Sequence, residues 1–132
     1  MKTFLLAGAT AGALIALAAL APASGAMAAD ASHGQQLFRT QCGVCHQGGE
    51  GDGDGGAGPS LRGVVGRKVG GDAGFGYTSV LSDSKETWTQ DNLSTFLADP
   101  NKAKPGTSMP ISVRDDTDRA DLVAYLASLK AQ

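Results

Sequence analysis

The sequence predicts a small all-α domain whose helices are joined by long irregular loops. Three observations carry that prediction. Three stretches repeat their apolar residues at helical spacing, and no stretch alternates as a half-buried strand does. Two long segments without either pattern, Gln47–Gly76 and Asn101–Asp115, separate the helices. Loops of that length are uncommon in a compact domain. They become reasonable where the chain wraps a large body that is not protein.

The N-terminus reads as an export signal. Met1–Lys2 gives a short positive start, and Phe4 to Ala21 is almost wholly Ala, Leu, Gly and Ile without charge. Pro22, Ser24 and Gly25 break that run, and Ala26-Met27-Ala28 supplies the small residues of a cleavage site. The apolar run is near bilayer length, so an uncleaved anchor is the alternative. Cleavage after Ala28 leaves one domain, 29–132, holding 104 of the 132 residues. Without Lys2, 10 basic residues face 13 acidic ones, a net charge of −3 with both histidines neutral. The chain has no basic stripe, which argues against nucleic-acid binding.

The first helical stretch is Ser32 to about Cys42, with Ser32 as its N-cap and Leu37, Phe38 and Gln41 near one face. A shorter helical turn is expected over Thr78–Leu81. The second long stretch follows Thr89, a capping residue. Leu93, Phe96 and Leu97 fall at i, i+3, i+4, and Pro100 is expected to stop it. In the third, Asp116 or Thr117 caps and Asp118 suits the positive N-terminal end. Leu122, Tyr125, Leu126 and Leu129 form its apolar stripe. Val64-Val65 is too short for a strand.

The chemistry concentrates in CGVCH, Cys42 to His46, which holds the only two cysteines. A structural zinc site needs four ligands, usually two pairs, and there is one pair here. A thiol redox motif belongs at a helix start after a strand, and no such strand is visible. A plain disulfide suits an exported chain but leaves His46 unexplained. Covalent haem attachment uses all three residues. Two thiols add across two vinyl groups and fix the ring, and the next residue is then held beneath the iron.

Haem iron in electron carriers commonly takes a methionine sulfur opposite the histidine. Beyond the signal there is one methionine, Met109, in the Pro/Gly loop KPGTSMP. A lone methionine is ordinarily core filler. This one lies off any helical stripe, which favours ligation. The alternative ligand, His33, lies on the first helix and reads as a surface residue.

Seven segments in order then carry a resemblance: GQQLF (Gly34–Phe38), CGVCH, GPSLRGVVGRK (Gly58–Lys68), GFGYTSVL (Gly74–Leu81), TWTQDNLSTFLADP (Thr87–Pro100), KPGTSM (Lys104–Met109) and DRADLVAYL (Asp118–Leu126). Over Ser32–Leu129 the chain resembles class I cytochrome c, in the branch of mitochondrial cytochrome c and its soluble bacterial relatives. The resemblance implies a small cytochrome c fold wrapped around one haem c. Cys42 and Cys45 would hold it by thioether bonds, with His46 and Met109 as axial ligands. Pro59 would orient His46 through its carbonyl. Arg67, Tyr77 and Trp88 would meet the propionates, and Thr107 would sit near them and brace the Met109 loop. Gly34 and Phe38 would meet Leu122 and Tyr125 where the first and last helices cross.

The sequence departs from that family at several points. Phe96 stands in place of a usual tyrosine and Leu81 in place of a frequent asparagine, which makes the methionine side drier. Ile111 replaces an aromatic beside the exposed haem edge. Of the family's lysine cluster near the methionine, Lys102 and Lys104 remain. The acidic glycine-rich loop Gln47–Gly58 is longer than usual. Its DGDG is similar to a calcium loop but lacks the closing ligands, and it reads as a flexible surface loop.

The resemblance and the signal together imply a periplasmic, monomeric electron carrier rather than an enzyme. Its partners would be redox proteins such as a cytochrome bc complex, a terminal oxidase, a periplasmic dehydrogenase or a photosynthetic centre. Two alternatives use the same motif. One is a haem module of a membrane-linked dehydrogenase or oxidase. The other is a small-ligand-binding or peroxidase-like haem protein.

Overall fold

The computed structural model describes residues 27–131. All of the signal expectation except Met27 and Ala28 therefore lies outside the described residues. The elements run α1 (Ala31–Leu37), a π-turn (Phe38–Cys42), α2 (Ser79–Ser82), α3 (Gln90–Ala98), α4 (Pro100–Ala103) and α5 (Asp116–Ser128). The fold is all-α. Among the described residues the one β-type pairing is an isolated antiparallel bridge between Lys68 and Thr87.

The caps correct the sequence expectations at two helices. Asp30, not Ser32, caps α1 and accepts from the Ser32 and His33 amides. Asp115, not Asp116 or Thr117, caps α5 and accepts from Thr117 and Asp118. In each case an aspartate precedes several residues able to cap, and the first of them takes the task. At α3 the expected Thr89 cap is joined by Asn92 in a reciprocal capping box. Pro100 ends α3 but also opens α4 as its first residue, with Asp99 as cap. A proline at that position loses nothing, because its missing amide would have no helical partner.

α1 and α5 cross face to face. A Cβ built on Gly34 would lie 2.0 Å from the Asp121 carbonyl oxygen and 2.9 Å from Tyr125 Cβ. Only glycine permits that approach. Phe38, fully buried, packs against Tyr125 with ring centroids 5.5 Å apart and planes tilted by 59°. Burying such a ring contributes about 1.5–3 kcal/mol. Leu122 and Leu126 of α5 and Leu93, Phe96 and Leu97 of α3 complete the core.

The long loops are pinned by backbone bonds. Trp88 N–H donates to the Arg67 carbonyl at 2.9 Å, and Gly66 N–H to the Trp88 carbonyl at 2.8 Å. Val113 N–H donates to Leu97 at 2.8 Å, which ties the segment after Met109 to the end of α3.

The loop Gln47–Gly58 lies largely at the surface, as read, with Glu50, Gly51, Gly53, Asp54, Gly56 and Ala57 exposed, but it is anchored at one point. Asp52 in its middle is only 2% exposed. The calcium-like pattern finds no support: no group of three or more potential metal-binding side chains occurs among the described residues.

Candidate functional site

The π-turn sets the site. Gly43 N–H donates to the Phe38 carbonyl at 2.8 Å, five residues back, and the turn then continues. Cys45 and His46 amides both donate to the Cys42 carbonyl, at 3.0 and 2.8 Å. Cys42, Cys45 and His46 thus stand at i, i+3, i+4 and share one face. That is the local reason for the spacing in CGVCH. The intervening residues differ: Gly43 is buried and Val44 is 78% exposed.

The shared face opens on a cavity of about 260 Å³. That is many times the roughly 10–15 Å³ one water needs, so it is no packing defect. All nine residues singled out in the sequence line it: Cys42, Cys45, His46, Pro59, Arg67, Tyr77, Trp88, Thr107 and Met109. They come from five separate stretches of chain. Leu81, Phe96 and Ile111 line it too, whereas His33 does not.

His46 Nδ1 lies 2.8 Å from the Pro59 carbonyl oxygen. A carbonyl only accepts, so Nδ1 carries the proton and Nε2 keeps its lone pair for an electrophile. Gly58 makes room: a Cβ there would fall 2.5 Å from the imidazole. Thr107, buried, accepts from the Met109 amide at 3.4 Å and so fixes the turn before the thioether.

The polar end of the cavity is built for an anion. Arg67 donates through Nη2 to the Ser60 carbonyl at 2.6 Å and through Nη1 to Arg62 at 3.2 Å. Its Nε is buried without a partner, as is Thr78 Oγ1. A buried donor left unmade costs about 1–3 kcal/mol, and an acceptor filling the cavity removes that cost. Tyr77 Oη accepts from the Asp72 amide at 3.4 Å, which leaves its proton to donate. Burial pushes the Tyr77 phenol above its ordinary value, so it stays protonated.

Thr78, next to Tyr77, has a buried unpartnered hydroxyl but does not line the cavity. It occupies the cap position of α2, yet its side chain makes no capping bond. An unused hydroxyl at a cap is visible only once the structure is known.

Burial, with the neighbouring Cys45 adding to it, pushes the Cys42 thiol up to about 11. Reactive redox thiols and zinc ligands need the opposite shift. The donor set, the apolar cavity and the unpaired cationic donor fit a haem with its propionates. Nearby, Lys104 is ion-paired with Glu86, so one of the two retained lysines is neutralised.

Geometry and chemistry together define a protein that binds haem covalently through a C-x-x-C-H turn. The sequence profile of the family described as Cytochrome c matches residues 31–130. A cytochrome c of Tetrahymena pyriformis is 44% identical over 101 residues, covering 76% of this chain and 89% of that protein. A cytochrome c2 of Rhodomicrobium vannielii is 36% identical over 121 residues, covering 91% and 95%. In structure, the ferricytochrome c2 of Rhodopseudomonas palustris superposes with a TM-score of 0.66 at 37% identity, covering 76% of this chain and 99% of that one. The chain belongs to the cytochrome c family. It is a monohaem electron-carrier cytochrome, with haem c attached through Cys42 and Cys45.

Proposed function

We propose that this protein is a periplasmic carrier of single electrons whose iron is held by His46 and Met109. The observation that carries the reading is the convergence of the Cys42–Cys45 pair, His46 and Met109 on one apolar cavity, with His46 Nδ1 committed to Pro59. When bound, the haem supplies a one-electron Fe(III)/Fe(II) couple. The chain's own residues do the rest. Pro59 holds the imidazole plane, a task that raises ligand basicity. Thr107 braces the loop that presents the thioether. Arg67, Tyr77 and Trp88 would hold the propionates, with Arg67 supplying the balancing charge. Leu81, Phe96 and Leu93 keep water from the methionine side.

The partners are redox proteins, among them a cytochrome bc complex, a terminal oxidase, a periplasmic dehydrogenase or a photosynthetic centre. Val44 and Ile111, 78% and 43% exposed, border the cavity. Among the described residues, Arg67 is the one permanently charged side chain lining it. Contact is therefore made through an apolar, uncharged collar. The protein acts as a monomer and transforms no substrate. Residues 1–28 direct export and are removed. No helix among the described residues is long and apolar enough to cross a membrane.

Optical spectra of the oxidised and reduced protein, the latter with carbon monoxide, test the reading. A low-spin c-type spectrum indifferent to the gas is expected. A marked shift with the gas would show a sixth position that opens, and would overturn the Met109 assignment. Mass spectrometry of the purified protein is expected to find Ala29 at its N-terminus. A retained Met1–Ala28 would favour a membrane-linked module.

A further inference from the structure

Among the described residues, Asp52 is the most buried charged side chain outside the haem cavity, and nothing proposed so far uses it. Its side chain has no exposed surface. Oδ1 accepts from Arg39 Nε at 2.8 Å and from Gln35 Nε2 at 3.0 Å, and Oδ2 accepts from the Gly49 amide at 2.8 Å. Two of these donors, Gln35 and Arg39, belong to α1 and the π-turn. The third belongs to the glycine-rich loop itself. A buried carboxylate is tolerated only with such pairing, and here the pairing joins the loop to the element that delivers Cys42.

The loop so fastened lies on the haem-attachment turn. A Cβ on Gly43, between the two cysteines, would be 2.3 Å from the Asp52 carbonyl oxygen. Farther along, Gly58 N–H donates to the Cys45 carbonyl at 2.9 Å. The next residue is Pro59, whose carbonyl takes the His46 ring proton. The path from Asp52 to the imidazole is thus seven residues of glycine-rich chain, Asp52–Gly58, with little stiffness of its own. Such a segment holds Pro59 in place only if it is tied at both ends.

We propose that Asp52 is a positioning residue for His46. Its carboxylate clamps the loop Gly49–Gly58 onto the π-turn and thereby fixes the carbonyl that sets the imidazole plane. The inference rests on the reading of His46 as an axial ligand.

The test uses the haem-loaded protein with Asp52→Ala and Asp52→Asn. Two quantities are read by NMR: the spread of haem-methyl shifts in the ferric state, which follows the imidazole plane, and the exchange rate of the His46 ring N–H. Both variants are expected to change the haem-methyl pattern. Ring-proton exchange should quicken at least about tenfold in the alanine variant, as loss of a buried charge-assisted contact implies. The asparagine variant, which keeps an acceptor for Gly49, should fall between it and wild type. A haem-methyl pattern unchanged from wild type overturns the proposal, even where the denaturation midpoint drops, since Asp52 would then serve stability alone. If neither variant matures, Gln35→Ala and Arg39→Ala each remove one donor from the surface side and are read by the same criteria. Failure of the His46 reading looks different: wild type itself would lack a low-spin histidine-ligated ferric spectrum.

Discussion

His33 Nδ1 lies 2.8 Å from Asp121 Oδ2, and the other oxygen of that carboxylate accepts the Asp30 amide at 2.7 Å. The pair joins the start of α1 to α5 at the edge of their crossing. The Asp121 hydrogen bond raises the His33 pKa above its ordinary 6.5 against the opposing effect of burial, and the charges of Asp121, Asp118 and Asp30 add to it. A raised folded-state value means that the folded chain binds the proton more tightly than the unfolded one. The stabilisation is therefore complete below about 6.5 and is lost as pH climbs through the folded value. His33→Gln is expected to flatten the decline of the denaturation midpoint between pH 6 and pH 9 (approximate bounds). An identical decline in both proteins would refute the linkage. Asp121 behaves oppositely. The His33 bond first, then the Asp30 amide, lowers it from 3.8, so its share is lost in acid.

Gly34→Ala tests the helix crossing. Alanine favours the helix by about 0.8–1.0 kcal/mol over glycine. The added methyl, however, meets the Asp121 carbonyl oxygen at 2.0 Å, which is backbone and cannot turn aside. Overpacking costs about 1–3 kcal/mol, so net destabilisation is expected. Guanidinium unfolding of the haem-loaded protein measures it. A variant as stable as wild type would mean that the helices slide apart at little cost.

Phe96 and Leu81 both line the cavity into which Met109 reaches, and Phe96 packs on Trp88 with centroids 5.2 Å apart. Phe96→Tyr and Leu81→Asn place polar atoms on that dry wall, where an unmet hydrogen bond costs about 1–3 kcal/mol. If Met109 is the ligand proposed above, both variants are expected to lose it at lower pH than wild type. An alkaline titration followed by absorbance decides. Easier loss in the native protein would sink the idea.

Arg67→Met removes the donors to the Ser60 and Arg62 carbonyls and the unpaired Nε. A loss of about 1–3 kcal/mol is expected in the haem-loaded protein, together with a propionate that titrates at higher pH. Unchanged propionate titration would place that group away from Arg67.

The collar around the cavity mouth bears on association kinetics. With Val44, Ile111 and Pro110 at the rim and Lys104 occupied by Glu86, electron-exchange rates with a redox partner should change by less than about threefold across 10 to 200 mM salt. Stopped-flow measurements at graded ionic strength test it. A steep slope would point to a charged docking face elsewhere.

How far the sequence could be read depended on the range of each interaction. Cys42, Cys45 and His46 share a face because of a local spacing, and Leu93, Phe96 and Leu97 mark α3 by periodicity. The Thr89 capping residue is equally local. Pro59, Arg67, Tyr77, Trp88 and Thr107 were legible only through resemblance, because the cavity that gathers them is made by chain folding. Asp30 and Asp115 were passed over because several capping residues stand side by side, and propensity does not choose among them. Asp52 was invisible for a different reason. In a run of glycines and acids nothing signals burial, since its partners Gln35 and Arg39 lie on the far side of the cysteines.

The two residues between Cys42 and Cys45 are usually treated as interchangeable spacers. Here they are not equivalent. Position 43 lies beneath the returning backbone of Asp52, and position 44 faces open solvent. Substitution at 44, on the exposed rim of the cavity, is a means of altering what this cytochrome offers its partners while leaving the backbone of the turn in place. Substitution at 43 would lift the loop that carries Pro59. A motif written with two free letters contains, in this chain, one letter that is free and one that the fold has already chosen.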